Sequence, residues 1–166
     1  MQKEMDLNAF KKEAEQKLAA NKTLGKNLRK VKPRMLDELF QEAHFETFEK
    51  MDCLTCANCC KTTSPIFKQG DIARMAKAVK MKTAVFIDHY LHLDQEGDYV
   101  LNEAPCPFLA ADNTCICYES RPTACREYPH TDRKKIKQLI NLSVRNTLVC
   151  PAVLNIFDKI NAKLNS

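Results

Sequence analysis

Residues 53–60 read Cys53-Leu54-Thr55-Cys56-Ala57-Asn58-Cys59-Cys60, four cysteines in eight positions. A buried cysteine packs as a small hydrophobe, and Ala or Val would fill the same space without the reactivity. Such crowding points to a partner for sulfur, around which the fold is expected to be organised. Five further cysteines, Cys106, Cys115, Cys117, Cys125 and Cys150, bring the total to nine in 166 residues.

A Cys-x2-Cys pair lets a tight turn present two sulfurs to one ion. Cys53, Cys56 and Cys59 have the Cys-x2-Cys-x2-Cys spacing that holds three corners of an iron–sulfur cluster. In bacterial ferredoxins a distant Cys-Pro completes the row, and both Cys106-Pro107 and Cys150-Pro151 have that form. Cys60 complicates a single site, because neighbours in an extended segment point to opposite sides. Two neighbouring sites fit better: eight thiolates would fill two four-sulfur sites and leave one cysteine over. One metal held by Cys53, Cys56, Cys59 and Cys60 stays open only if the backbone turns sharply at Asn58. Thiolates select zinc, iron–sulfur clusters or copper(I) over magnesium and calcium, which take oxygen ligands. A site filled by sulfur leaves no position for an activated water, which argues against hydrolytic zinc chemistry. Arg121, Arg126 and turn amides are the candidate compensation for the thiolate charge.

Composition narrows the class. The opening residues MQKEMDLNAFKKEAEQKLAAN show no charged-then-apolar leader, and no apolar run approaches the roughly 20 residues needed to span a bilayer. A cytoplasmic protein without membrane attachment is therefore expected. There thiols stay reduced, so dense cysteine marks metal or redox chemistry before disulfides, and the odd count argues against complete pairing. A chain of this length buries about 70% of its unfolded surface, so a metal need not rescue an undersized core. The formal charge is +5, with six basic and no acidic residues from Lys22 to Arg34. That stretch lacks the interleaved aromatics that stack on bases, which argues against nucleic acid and leaves a solvated helix face or a protein partner for the N-terminal helices.

Periodicity predicts mostly helix. Leu7, Phe10, Ala14 and Leu18 share one face, and Leu36, Leu39, Phe40, Ala43 and Phe48 share another after Pro33. Seven of the ten Pro and Gly residues lie between Cys53 and Pro129, so turns concentrate around the sulfur. Helices are predicted over Asp71–Lys80 and, capped by Thr83, over Ala84–Leu91. Brief strands are predicted at Tyr99–Leu101 and Thr114–Tyr118, a helical turn carrying Cys125 after Arg121-Pro122, and a final helix Pro151–Leu164 with Val153, Phe157, Ile160 and Leu164 on one face. The expected fold is mainly α with short β segments, a small single domain wrapped around a cysteine-rich metal-binding centre. The expected divisions are a helical extension over 1–50, the cysteine-cluster region over 51–151, and a C-terminal helix over 152–166 packed on it.

Other chemistry is weaker. His89 and His92 with Asp88 and Asp94 could cap a second metal, but a solvated helix face is the better explanation. His130 could stand beside Cys125 as a ligand or outer partner. Nothing orders a Cys/His nucleophile in the sequence, and no catalytic residue is assigned. Cys117, flanked by Ile116 and Tyr118, reads equally well as core.

The ordered motifs Cys53-x2-Cys56-x2-Cys59-Cys60, Cys106-Pro107-Phe108-Leu109 and Cys115-Ile-Cys-Tyr118-Glu-Ser-Arg121-Pro122-Thr-Ala-Cys125-Arg126-Glu-Tyr128-Pro129 resemble the bacterial YkgJ-type cysteine-cluster proteins, zinc- or iron-chelating domains, over about Cys53 to Pro151. The resemblance implies Cys53, Cys56, Cys59, Cys60, Cys106, Cys115, Cys125 and Cys150 as metal ligands. It implies zinc or iron as the metal, which with the softness and spacing of the ligands makes an iron–sulfur cluster or zinc the expected cofactor, and it excludes Cys117, where the family usually has an aliphatic residue. The pattern is also similar to part of flagellin lysine N-methylase, which implies an iron–sulfur-dependent enzyme as an alternative. A zinc-stabilised interaction module is the other. Gly25, Gly70 and Gly97 lie too far apart to cradle a nucleotide, and the spacing departs from the Cys-x3-Cys-x2-Cys of radical S-adenosylmethionine enzymes.

Overall fold

The computed structural model describes residues 5–166, so the first four positions of the expected extension over 1–50 lie outside the described residues. The chain is mainly helical with one two-stranded sheet, as its periodicity predicts. It folds as two compact units, one formed up to Cys56 and again from Pro129 onward, the other by Ala57–Tyr128.

The first unit pairs its N-terminal and C-terminal helices. Helix α1, Leu7–Leu28, starts where the Asp6 carboxylate accepts the amides of Asn8 and Ala9 at 3.0 Å, satisfying donors a helix end leaves open. Helix α2, Pro33–Phe48, opens on proline, whose fixed φ suits a first helical position and keeps Lys32 extended. Phe10, Ala14, Leu36, Phe40 and Ala43 are buried as their spacing predicts, while Leu7, Leu18, Leu39 and Phe48 are half-buried. The next four helices in chain order lie between residues 57 and 128, in the second unit. Helix α7, Ile140–Asn146, went unrecognised in the sequence, and helix α8, Pro151–Leu164, has the predicted bounds. Val153, Phe157 and Ile160 of α8 are fully buried and Phe157 meets Phe40 edge-on at 6.0 Å, but Leu164 stays exposed at the helix end. Gly25 lets α1 approach α7, since a Cβ there would stand 2.8 Å from the Val144 side chain.

The second unit carries α3, Asn58–Thr62, α4, Gln69–Ala78, α5, Thr83–Tyr90, and α6, Thr123–Glu127. Strands β1, Leu91–Leu93, and β2, Tyr99–Leu101, pair antiparallel with Leu91 opposite Leu101. Leu91 therefore begins a strand where a helix end was predicted, and Lys82, not Thr83, is the residue before α5. The core gathers Phe67, Ile72, Met75, Phe86, Leu91, Leu101 and Phe108, with Phe86 stacked on Phe108 at 6.0 Å. The predicted strand Thr114–Tyr118 does not form. Cys115 makes one isolated bridge to Leu109, after which the chain coils into the 3-10 turn Tyr118–Ser120. Asp112 holds the Thr114 amide and hydroxyl and Asn113 has φ 67°, so the chain turns tightly there and residues 114–116 face 108–110 across that one bridge without extending into a strand. No single helix among the described residues is long and apolar enough to cross a membrane.

Candidate metal centre

No disulfide joins any of the nine cysteines. Three of the eight candidate ligands lie in the first unit. Cys53 begins the 3-10 turn Cys53–Thr55, held by Asp52, whose carboxylate accepts the Leu54 amide at 2.9 Å. Cys56 closes that turn through its amide to the Cys53 carbonyl at 3.1 Å. Cys150, buried, precedes Pro151 at the start of α8 and donates its amide to the Asn146 carbonyl at 2.8 Å. Burial pushes the Cys150 thiol up to about 12 against the pull of the Val153 amide, and the sulfurs of Cys53 and Cys56 add to the rise. These three thiols therefore share one neighbourhood.

The other five lie in the second unit. The backbone turns sharply at Ala57, in the left-handed region at φ 47°, one residue before the position the sequence suggested. The turn starts α3, so Cys59 and Cys60 are helical neighbours and not the extended pair assumed from sequence. The Cys59 thiol hydrogen-bonds that of Cys60. That contact comes first among the influences that lower Cys60 to about 7 despite burial, with Arg121 and Lys61 assisting. Cys106 reaches this helix through its amide, which donates to the Cys60 carbonyl at 2.7 Å. Phe108, stacked in the core, anchors the segment that carries Cys106. Cys115 sits on the 109–115 loop, where Ile116 donates its amide to Phe108 at 3.0 Å. Cys125 is carried by α6.

Burial sets the charge state of these thiols. It pushes Cys106 up to about 11, reinforced by the sulfurs of Cys60, Cys115 and Cys117. It pushes Cys125 up to about 12, reinforced by Cys60, Cys106 and Cys115. Burial likewise raises Cys115, where Cys60 adds and Arg121 opposes. The sulfurs of Cys106, Cys115 and Cys125 thus all lie within electrostatic reach of Cys60, with Arg121 as the cation that acts on Cys60, Cys115 and Cys125. Arg121 stacks 3.5 Å over the Tyr118 ring and donates to the Tyr118 carbonyl at 2.9 Å. Arg126, the other expected compensator, spends its guanidinium on the carbonyls of Arg121 and Glu119. Cys117 is buried in the hydrophobic core.

Two residues that position the site were missed from sequence. Asp71, buried in the first turn of α4, accepts the Lys68 amide at 3.0 Å, the Arg74 guanidinium at 2.6 Å, and the Thr123 amide and hydroxyl at 3.1 and 3.0 Å. Arg74 in turn donates to the carbonyls of Ser120 and Arg121 at 3.2 and 3.0 Å. Together they hold the 120–123 segment that leads into α6. An acidic residue three positions into a helix is a readable capping signal, but its bond to Thr123 crosses 52 residues and leaves no local trace.

Among the described residues no group of three or more His, Cys, Asp or Glu side chains is arranged, as it stands, to hold a metal ion. His92 engages Asn102 at 3.1 Å, and His89 packs edge-on against Tyr90. The chemistry of the second unit's thiols nonetheless fits a soft metal: Cys60 raises the charging cost of Cys106, Cys115 and Cys125, and four such sulfurs from α3, two loop segments and α6 would be donors whose protons such an ion displaces.

Comparison with known proteins agrees in kind. A family model named CxxCxxCC, described as "Putative zinc- or iron-chelating domain", matches residues 52–145 and so includes every cysteine except Cys150. No curated protein matches the chain, and no solved structure does. With more than half of its residues inside that match, the chain belongs to the CxxCxxCC family of zinc- or iron-chelating domains.

Proposed function

We propose that this protein binds iron as an iron–sulfur cluster through clustered cysteine thiolates, with Cys60, Cys106, Cys115 and Cys125 as one ligand set. The observation that carries the reading is the electrostatic neighbourhood of those four sulfurs, which come from four separate pieces of the second unit. Cys59, bonded to Cys60, belongs to the same group, and Cys53, Cys56 and Cys150 form a second one. Bound there, a cluster would supply redox or structural chemistry tuned by the hydrogen bonds and charges around its sulfurs.

The chain's own residues have separable parts in this reading. Arg121 offsets the negative charge of the thiolates. Asp71 and Arg74 fix the backbone ahead of Cys125, and the Phe86–Phe108 stack fixes the segment after Cys106. The compartment we propose is the cytoplasm, whose glutathione pool keeps such thiols available as ligands.

Analysis of iron, acid-labile sulfide and zinc after anaerobic purification tests this directly. Brown protein containing iron and sulfide in equal amounts supports the proposal. Colourless protein with stoichiometric zinc replaces the cluster with a zinc site, and protein without metal refutes both.

A further inference from the structure

The net positive charge of this chain lies in one of its two units. The first unit has 18 basic and 12 acidic residues, the second 8 and 9, so the whole positive excess belongs to the first. Within it, the end of α1 and the start of α2 present Lys26, Arg29, Lys30, Lys32 and Arg34, all exposed. A second basic run, Arg133, Lys134, Lys135 and Lys137, lies about a hundred residues later and is also exposed.

The fold brings the two runs together. Asp37 of α2 accepts the amides of Lys135 and Ile136, one on each carboxylate oxygen, both at 2.9 Å. Ile136 is fully buried, which pins the 133–137 segment. Arg29 donates to Asn141 at the start of α7, joining the other end. Three carboxylates share this surface. Asp37 is spent on backbone amides, Glu38 pairs with Arg34 at 3.0 Å, and Asp132 flanks Arg133. Nine cations against three anions leave this one surface with the unit's entire surplus.

We propose that residues 26–34 and 133–137 form one docking surface for an acidic segment of a partner protein. Complementary charge steers such encounters and suppresses wrong partners. Met35, 59% exposed beside Arg34, supplies an apolar contact of the adaptable kind that protein interfaces favour. A nucleic acid fits less well, because the surface exposes no aromatic side chain to stack on bases and sets carboxylates among its cations. A membrane fits less well, because Met35 alone stands where an apolar helix face would be needed.

The test uses the full chain and a fluorescein-labelled peptide of Asp and Glu with a central Leu. Single-stranded DNA of equal length and vesicles containing phosphatidylserine serve as competitors. The expected result is peptide binding that weakens at least about tenfold when salt rises from about 0.01 to 0.15 M. It should weaken comparably in Arg34→Glu/Lys134→Glu, and be unchanged in Lys77→Glu/Lys80→Glu of the second unit. Metal content and thermal unfolding should be the same in all variants. Absence of peptide binding, equal loss in both double variants, or tighter binding to DNA or vesicles overturns the proposal.

Discussion

Asp71 accepts both the backbone amide and the hydroxyl of Thr123, at 3.1 and 3.0 Å, and so ties helix α4 to the residue two positions before Cys125. A carboxylate that is buried and receives this many donors is costly to remove, because each abandoned donor stays desolvated.

Asp71→Ala is accordingly expected to lower stability by about 3 kcal/mol and to reduce metal retention. Chemical denaturation and metal analysis of the same preparation check both. Loss of stability with metal content unchanged would show that the 120–123 segment does not position Cys125.

Asp71 also predicts an acid response. Burial pushes its carboxyl up, but the Lys68 amide, the Arg74 guanidinium and the Thr123 donors outweigh that and hold it below the ordinary value. A carboxyl lowered on folding contributes stability above its unfolded value, near 3.9, and loses it as pH falls through the folded value. Unfolding free energy should therefore fall below about pH 4 in the wild type, and less steeply in Asp71→Asn. Parallel curves for the two proteins would exclude this group as a source of acid sensitivity.

Cys117 and Cys106 separate packing from ligation. Cys117→Ser puts a hydroxyl among Phe67, Ile72 and Phe86 and should cost about 1–3 kcal/mol while leaving metal content nearly intact. Cys106→Ser should lose metal. Equal loss in the two variants would contradict the ligand assignment.

Gly25 tests the packing of α1 against α7. Alanine would gain about 1 kcal/mol in helix propensity, yet its Cβ meets Val144 at 2.8 Å and Ile140 at 3.3 Å, both on stiff branched side chains. Overpacking of about 1–3 kcal/mol should prevail, so Gly25→Ala is expected to lower the melting temperature. A rise would show that α7 yields freely.

Much of this was legible from local signals. Pro33 and Pro151 open the helices they were expected to open, and Phe40 and Phe157 carry the burial their spacing foretells. Where the reading failed, the deciding interactions were distant. Thr114–Tyr118 alternates like a strand but pairs with 108–110 through a single bridge only, across the tight turn that Asp112 holds, and coils away beyond it. Ala57 adopts a left-handed conformation usually left to glycine, so nothing in its identity announced the turn that places Cys59 and Cys60 on a helix. The approach of 133–137 to α2 depends on Asp37, nearly a hundred residues away.

The most direct measurement is X-ray absorption at the edge of the metal that copurifies with the full chain. The expected coordination shell is made of sulfur alone, at about 2.3 Å if the metal is zinc, and of sulfur followed by a second iron if it is a cluster. A shell dominated by nitrogen or oxygen at about 2.0–2.1 Å would contradict that expectation.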